Sequence, residues 1–386
     1  MNAPATPAAP AAINMNDLLR EMSAKKGSDM FVTVGAPVVI KVAGVLEPLT
    51  PTGLTQQQAR DLVLGVMNPP QKAQFESTHE CNFAIGLSGV GRYRVSAFFQ
   101  RNQPGMVIRR IETTIPTVED LGLPEIIKKL AMTKRGIILF VGATGTGKST
   151  SLAAMIGYRN AHSSGHIITI EDPIEFVHRH EGCVVTQREV GVDTDSWEAA
   201  LKNTLRQAPD VILIGEIRTR ESMDHALAFA ETGHLVLATL HANNANQTMD
   251  RVINFFPEDR RKQLLMDLSL NLKGVVAQQL VPTPDGKART AVLEVMLGTP
   301  LVQDYIRNGE IEKLKEVMKA SRELGMVTFD QSLVEAYHAN RISYEDALRY
   351  ADSENEVRLK IKLHDSNAND SLGRGLGGLS IESEDR

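Results

Sequence analysis

This sequence of 386 residues is poor in cysteine, has no long apolar run and carries no excess of positive charge. Each shortage removes a class of function. Cys81 and Cys183 are the only cysteines and neither sits in a C-x-x-C pair, so the reading is two free thiols in a reducing cytosol, not a disulfide scaffold. No apolar stretch approaches the ~20 residues needed to span a bilayer. The first residues lack a basic start followed by an apolar core, so no secretory signal is read there. Ala3 to Ala12 is instead an Ala/Pro tract, expected to form a disordered leader over residues 1–13. The net charge of −5 argues against a nucleic-acid motor, whose domains carry a basic footprint, although a local basic groove stays open. No internal repeat is found.

What remains is the composition of a soluble globular protein, 42% hydrophobic and 23% charged, long enough for two domains that each bury a core. Asn14 to Lys26 reads as an amphipathic helix, followed by strands Met30–Val34 and Val38–Val42 around Gly35-Ala36-Pro37. Helical segments near Thr55–Met67 and Pro70–Thr78 precede strand-like runs at Asn82–Leu87, Arg92–Gln100 and Met106–Ile111. Residues 14–112 are therefore expected to form a small α+β domain, with a linker over 113–123. From Pro124 onward strands alternate with helices, the strong strands being Ile137–Val141, Ile167–Ile170, Val211–Ile214 and Leu235–Leu240. Such alternation implies an α/β domain with a parallel sheet covered on both faces. Beyond about residue 300 the chain reads as wholly helical to Leu363, and residues 364–386, rich in Ser, Asn, Gly and acid, as a disordered tail.

The most informative segment is Gly142-Ala143-Thr144-Gly145-Thr146-Gly147-Lys148-Ser149, which fits G-x-x-x-x-G-K-[ST]. A buried-strand pattern precedes it, and Thr150 opens an amphipathic helix after it. Glycines let successive backbone N–H groups curl around an anion, and the helix N-terminus adds partial positive charge. Lys148 is expected on the β- and γ-phosphates and Ser149 on Mg²⁺, so the chain binds a nucleoside triphosphate.

In a parallel sheet, ligands bind beyond the carboxyl ends of the strands. Glu171, Glu216 and His241 each follow such an end, whereas Asp210 and His234 begin their strands ~20 Å away and are set aside. Phosphoryl transfer needs a carboxylate near the metal and another near the attacking water. Glu216 fits the metal shell, through a water, and Glu171 fits the water, although the two assignments can be exchanged. His241 suits a sensor of the γ-phosphate. His178-Arg179-His180 has metal-ligand spacing but no carboxylate framework, so a solvated turn is the stronger reading. Arginines from a neighbouring subunit often neutralise the transition-state charge, and the small domain offers Arg92, Arg94, Arg101, Arg109 and Arg110.

Taken together, these segments resemble a known family. The phosphate loop Gly142–Thr150, the acidic box Thr169–Phe176, the segment Leu205–Arg218 and the histidine box Thr232–His241 follow the order and spacing of the secretion-type ATPases of type II secretion and type IV pilus machines. The resemblance runs from about Asn14 to about Tyr350. The short N-terminal domain, Gly27-Ser28-Asp29, and Gly91-Arg92-Tyr93-Arg94-Val95 look like the pilus-retraction branch, the PilT/PilU family. The four-cysteine zinc module of many assembly ATPases has no counterpart here. After Gly298-Thr299-Pro300 the PilT branch carries Ala-Ile-Arg-Asn-Leu-Ile, whereas this chain has Leu301-Val302-Gln303-Asp304-Tyr305-Ile306. Thr219 stands where Asp is usual, and the tail is extended. These departures look like the PilU branch.

The resemblance implies a RecA-like P-loop ATPase domain with a PAS-like N-terminal domain, ATP and Mg²⁺ as ligands, and a ring homo-hexamer. It implies a cytoplasmic motor of twitching motility, peripheral to the inner membrane at the pilus base, with the platform protein and the PilT paralogue as partners. Neither nucleic acid nor a membrane-spanning segment is expected. It also carries over Arg94 and Arg109 as the arginines acting between subunits, and it supports Glu171 as the catalytic carboxylate. Three alternatives stay open: a stand-alone PilT-like or secretion motor, a nucleotide-bound scaffold that barely hydrolyses ATP, and a RecA-like nucleic-acid translocase.

Overall fold

A computed structural model describes residues 13–111 and 114–373. The leader tract Ala3–Ala12 and the last part of the tail lie outside the described residues. The chain divides into two compact units. The smaller comprises the chain up to Ile115 together with Asp172–His178 and Gln187–Ala200. The larger comprises Pro116–Glu171, Arg179–Thr186 and the chain from Leu201 onward.

In the smaller unit, helix α1 (Met15–Ala24) starts where the Asn14 side chain accepts the Asn16 amide, and it buries Leu18, Leu19 and Met22 on one stripe. Strands β1 (Asp29–Val32), β2 (Val39–Val42) and β3 (Val45–Pro48) follow, then helices α2 (Gln56–Gly65) and α3 (Pro69–Thr78). Both helices open with a reciprocal capping box, Thr55 with Gln58 and Asn68 with Gln71. Strands β4 (Glu80–Leu87), β5 (Gly91–Gln100) and β6 (Gln103–Ile111) complete an antiparallel sheet in the order β3-β2-β1-β6-β5-β4. Alternation along β5 sends Tyr93, Val95 and Ala97 into the core and leaves Arg92 and Arg94 on the other face. The Tyr93 hydroxyl donates to the Leu19 carbonyl at 3.0 Å and meets the Ser23 hydroxyl at 2.6 Å, which pins α1 to the sheet.

In the larger unit, helix α4 (Ile126–Ala131) leads to strand β7 (Gly136–Val141), helix α5 (Lys148–His162) and strand β8 (Gly165–Glu171). Strand β9 (Cys183–Glu189) and helix α6 (Trp197–Thr204), whose residues 187–189 and 197–200 are counted with the smaller unit, come next, then strand β10 (Val211–Ile214), helix α7 (Arg220–Glu231) and strand β11 (Leu235–Leu240). Helices α8 (Ala245–Asn254) and α9 (Glu258–Asn271) then precede the pair β12 (Leu272–Pro282) and β13 (Arg289–Leu297). The sheet order is β13-β12-β7-β11-β10-β8-β9. Residues 137–141 of β7 are fully buried, as a central parallel strand must be. Strand order leaves β7 in both directions, so the reversal point of the sheet lies at its carboxyl end.

The strand–helix alternation predicts a parallel sheet, and the observed sheet is mixed. Strand β12 runs parallel to β7, but β13 returns antiparallel to it. A Pro284-Asp285-Gly286 turn causes this: the Gly286 amide donates to the Thr283 carbonyl at 2.8 Å, with Gly286 at φ 67°. So short a turn leaves no room for the crossover that a parallel neighbour requires.

Past Gly298 the chain is helical, as expected, through α10 (Pro300–Asn308), α11 (Leu314–Ala320), α12 (Phe329–His338), α13 (Tyr344–Arg349) and α14 (Glu354–Gly373). Helix α14 extends beyond Leu363, where the composition suggested that order ends, because no Gly or Pro interrupts the chain between Glu354 and Leu372. Of the stretch read as a linker, residue 113 lies outside the described residues, whereas Val118 and Leu123 pack into the core of the larger unit. In the His178 to His180 segment, Arg179 and His180 are exposed as expected of a solvated stretch, but His178 is not. His178 is buried, and burial pushes its imidazole down to about 4, so it stays neutral. The His180 ring accepts the Val185 amide at 3.1 Å, and among the described residues no three His, Cys, Asp or Glu side chains group to hold a metal ion.

Candidate functional site

Strand register brings the expected residues to one sheet edge. Val141 lies opposite Leu240, and Ile214 lies opposite both Ala238 and Ile170. The residues that follow therefore emerge side by side: the phosphate loop from β7, His241 from β11, Glu216 after β10 and Glu171 at the end of β8. At ~4.8 Å per strand, Glu216 stands about 10 Å and Glu171 about 14 Å along the edge from β7. Asp210 and His234 lie at the opposite edge. Asp210 Oδ2 accepts the His166 amide at 2.8 Å, and the His234 ring sits 3.0 Å from the Phe229 carbonyl.

The loop is shaped by close backbone approaches. Gly142 has φ 151°, and a Cβ there would lie 2.5 Å from the Gln278 carbonyl oxygen and 2.6 Å from Thr146 Oγ1. Gly147, at φ 84°, caps helix α5 without any side-chain cap bond. The amide end of this 15-residue helix is thus offered to a ligand, the arrangement that suits a phosphate. Ala143, Thr144 and Gly145 are exposed at the loop tip, and the Thr146 hydroxyl donates to the Ala143 carbonyl at 2.9 Å. Lys148 is buried, its ammonium donating to the carbonyls of Gly142 at 2.7 Å and Ala143 at 2.8 Å. Ser149 and Thr150 stand in the first turn of α5.

Glu216 and His241 meet directly, with His241 Nε2 3.0 Å from Glu216 Oε1. Arg218 grips the other carboxylate oxygen through Nε at 2.7 Å and Nη2 at 2.6 Å. The Thr239 hydroxyl donates to the Gly215 carbonyl, and the Ile217 amide donates to the Thr239 carbonyl at 2.9 Å, which locks the ends of β10 and β11 together. Glu171 Oε1 accepts the buried Thr169 hydroxyl at 2.6 Å, one strand farther on. A hydroxyl and a carboxylate facing a phosphate seat are the donors a Mg²⁺ ion takes when phosphate oxygens and waters complete its shell. Thr219, the departure noted in the sequence, caps α7 by accepting the Ser222 amide at 3.3 Å.

In the smaller unit, Arg94 and Arg109 are direct cross-strand partners on β5 and β6. Two cations so placed repel unless neutralised. Arg109 bonds Asp29 Oδ1 at 2.7 Å, and Asp29 is its register partner on β1. Arg94 lies 3.6 Å from Glu189 Oε1, within ion-pair range but beyond hydrogen-bond distance. The Glu189 side chain is fully buried, and burial raises its pKa despite the Ile174 amide and the guanidinium groups of Arg94 and Arg92.

Three further residues were not singled out from the sequence: Arg218, Glu189 and Gln278. The Arg218 signal was the Glu-x-Arg spacing after β10. Glu189 and Gln278 carried no local signal. Gln278, on β12, donates from Nε2 to the Thr146 carbonyl at 2.8 Å and accepts the Ser151 hydroxyl at 2.8 Å, across 132 and 127 residues of chain.

With the site described, its likeness to known proteins can be stated. Residues 8–359 match the model of the family described as type II/IV secretion system protein. The chain is 65% identical over 368 residues, 95% of its length and 96% of the relative's, to the type IV pilus ATPase PilU of Pseudomonas aeruginosa. It is 40% identical to that organism's type IV pilus retraction ATPase PilT, over 85% of this chain and 96% of PilT. Among solved structures, a crystal structure of the pilus retraction motor PilT with bound ADP superimposes with a TM-score of 0.83 at 36% identity, covering 89% of this chain and 98% of that one.

Proposed function

Because this chain belongs to the type II/IV secretion system protein family, we propose that it is an ATPase that hydrolyses ATP to support type IV pilus retraction and twitching motility, acting with a PilT paralogue. One observation carries the reading: a phosphate loop, a His241–Glu216 pair and a second carboxylate converge on the carboxyl edge of adjacent parallel strands. Membership extends over most of the chain, and two relatives matched over 96% of their own length are named for type IV pilus ATPases.

Each residue then has a task in the hydrolysis of ATP. The loop amides from Ala143 to Lys148 and the N-terminus of α5 receive the phosphates, and the Lys148 ammonium leaves its loop carbonyls for the β- and γ-phosphate oxygens. The Ser149 hydroxyl and Glu216 would hold Mg²⁺, which would supply charge neutralisation at the phosphates. We assign the two carboxylates by their place along the edge. Glu216, nearer β7, serves the metal side, and Glu171, one strand beyond, orients the water that attacks from the far side of the terminal phosphate. His241 stands between loop and carboxylate, where it couples loss of the γ-phosphate to Glu216. Arg94 and Arg109 act on the nucleotide of a neighbouring subunit in a ring homo-hexamer. The motor works in the cytoplasm at the inner-membrane base of the pilus, against the platform protein. Among the described residues no helix is long and apolar enough to cross a membrane.

Steady-state ATPase of the purified full chain tests the chemistry. Wild type is expected to turn over, and Glu171→Ala to lose activity by about 10²–10⁴-fold while still binding nucleotide. A wild type that binds ATP without turnover would instead be a scaffold. Deleting the gene with and without its PilT paralogue, and measuring pilus retraction force, tests the biology. Unchanged force and motility in both backgrounds would refute the pilus assignment.

A further inference from the structure

The phosphate loop is held from outside its own motif. Gln278 belongs to β12, the strand on the side of β7 away from Glu216 and Glu171. The register pairs Ala277 with Val141, so Gln278 comes level with Gly142 as the loop departs. Its side chain is buried, and both ends of the amide are used. Nε2 donates to the Thr146 carbonyl at 2.8 Å, and Oε1 accepts the Ser151 hydroxyl from α5 at 2.8 Å. Two motif glycines are shaped around the same residue. A Cβ at Gly142 would lie 2.5 Å from the Gln278 carbonyl oxygen, and one at Gly147 would lie 2.9 Å from Gln278 Nε2.

A trans peptide points its C=O and its N–H in opposite directions. Fixing the Thr146 carbonyl toward β12 therefore fixes the Gly147 N–H away from β12, toward the concave side of the loop. That N–H is one of the donors a phosphate needs there. The Ser151 bond fixes the first turn of α5 to the same amide, so loop and helix end are held in one register. We propose that Gln278 is the positioning residue of the nucleotide site: it sets the loop amides in phosphate-binding geometry before ATP arrives, without touching the ATP itself.

A free loop would have to be ordered by the ligand, and that ordering weakens binding. The inference rests on the proposed ATPase reading, and a nucleotide-binding assay separates the two. The full chain is titrated with fluorescent mant-ADP, and apo unfolding is followed alongside. Wild type binds; failure to bind would overturn the ATPase reading and this inference together. Gln278→Leu keeps the bulk and removes both bonds, and is expected to weaken mant-ADP at least tenfold. Gln278→Glu keeps an acceptor for Ser151 but faces the Thr146 carbonyl with another acceptor, so it should weaken binding more than Gln278→Leu. Ser151→Ala, which spares the Thr146 bond, should change the dissociation constant less than threefold. This rank order distinguishes positioning from a structural role, which would lower the apo unfolding temperature in all three variants without ordering their affinities. If Gln278→Leu and Gln278→Glu both bind within twofold of wild type, the inference is wrong.

Discussion

The carboxyl edge of the large sheet and the arginine row of the small one handle charge in opposite ways. At the edge, the buried Lys148 leans on loop carbonyls, and Glu216 shares itself between His241 and Arg218, whose side chains are open to solvent. In the row, Arg94 faces a carboxylate that is fully buried, and Arg109 grips one that is 12% exposed. Carbonyl partners are exchanged for a ligand at little cost, whereas a buried carboxylate deprived of its cation must take a proton or be solvated. Groups at the edge are thus free for chemistry. Those in the row are committed to the fold first, and act on a nucleotide only by leaving a partner.

The largest effect tests the edge. Lys148→Ala should reduce ATP turnover by on the order of 10³-fold and leave the unfolding temperature within a couple of degrees of wild type. A comparable loss of stability would mean that the edge is structural too. Glu216→Gln comes next: turnover should fall about 10²-fold, with mant-ADP affinity changed only a few-fold, because the interaction serves the reaction and not ground-state binding.

A third measurement asks whether burial alone, without a catalytic task, sets the cost. Glu294 on β13 is almost fully buried; its carboxyl accepts the Ala245 and Phe329 amides, and Asp352 and Lys315 supply the surrounding charge. Burial raises it from 4.5 to about 7. Between those values the folded chain holds a proton that the unfolded chain has lost, so stability declines as pH rises through that window. Because the depressed His178 contributes the opposite slope, the reading is a difference: in chemical unfolding from pH 4.5 to 8, wild type should fall by roughly 2–3 kcal/mol relative to Glu294→Gln. A parallel decline in both would locate the proton elsewhere.

The smallest effects test the row. Arg94→Ala leaves the buried Glu189 with only the Arg92 charge nearby and should cost roughly 1–3 kcal/mol. Arg109, 69% exposed, should cost under about 1 kcal/mol when removed. Adding Glu189→Gln to Arg94→Ala should restore stability without restoring turnover if Arg94 also serves a neighbouring subunit. Recovery of both would confine Arg94 to the fold.

Much of the fold was legible because its signals are local. The run at Ile137–Val141, the capping residues Thr55 and Asn68 and the alternation along β5 each fix an element within a few residues. The β12–β13 hairpin was marked by Pro284-Asp285-Gly286 and still passed over, because Gln278-Gln279 and Glu294 interrupt the apolar runs of its two strands. Hydrophilic neighbours made His178 look solvated, since burial is decided by what packs on a residue and not by what adjoins it.

By itself, the sequence determined the phosphate loop, the four strands of the parallel core and the three residues Glu171, Glu216 and His241 at their ends. It did so because motif, strand period and the strand-end rule all act over short spans of chain. Only tertiary structure decided that His241 and Glu216 touch, that Arg94 answers to Glu189, and that Gln278 shapes a loop 132 residues earlier. Those pairings come from sheet order and packing, which join residues that no local pattern relates.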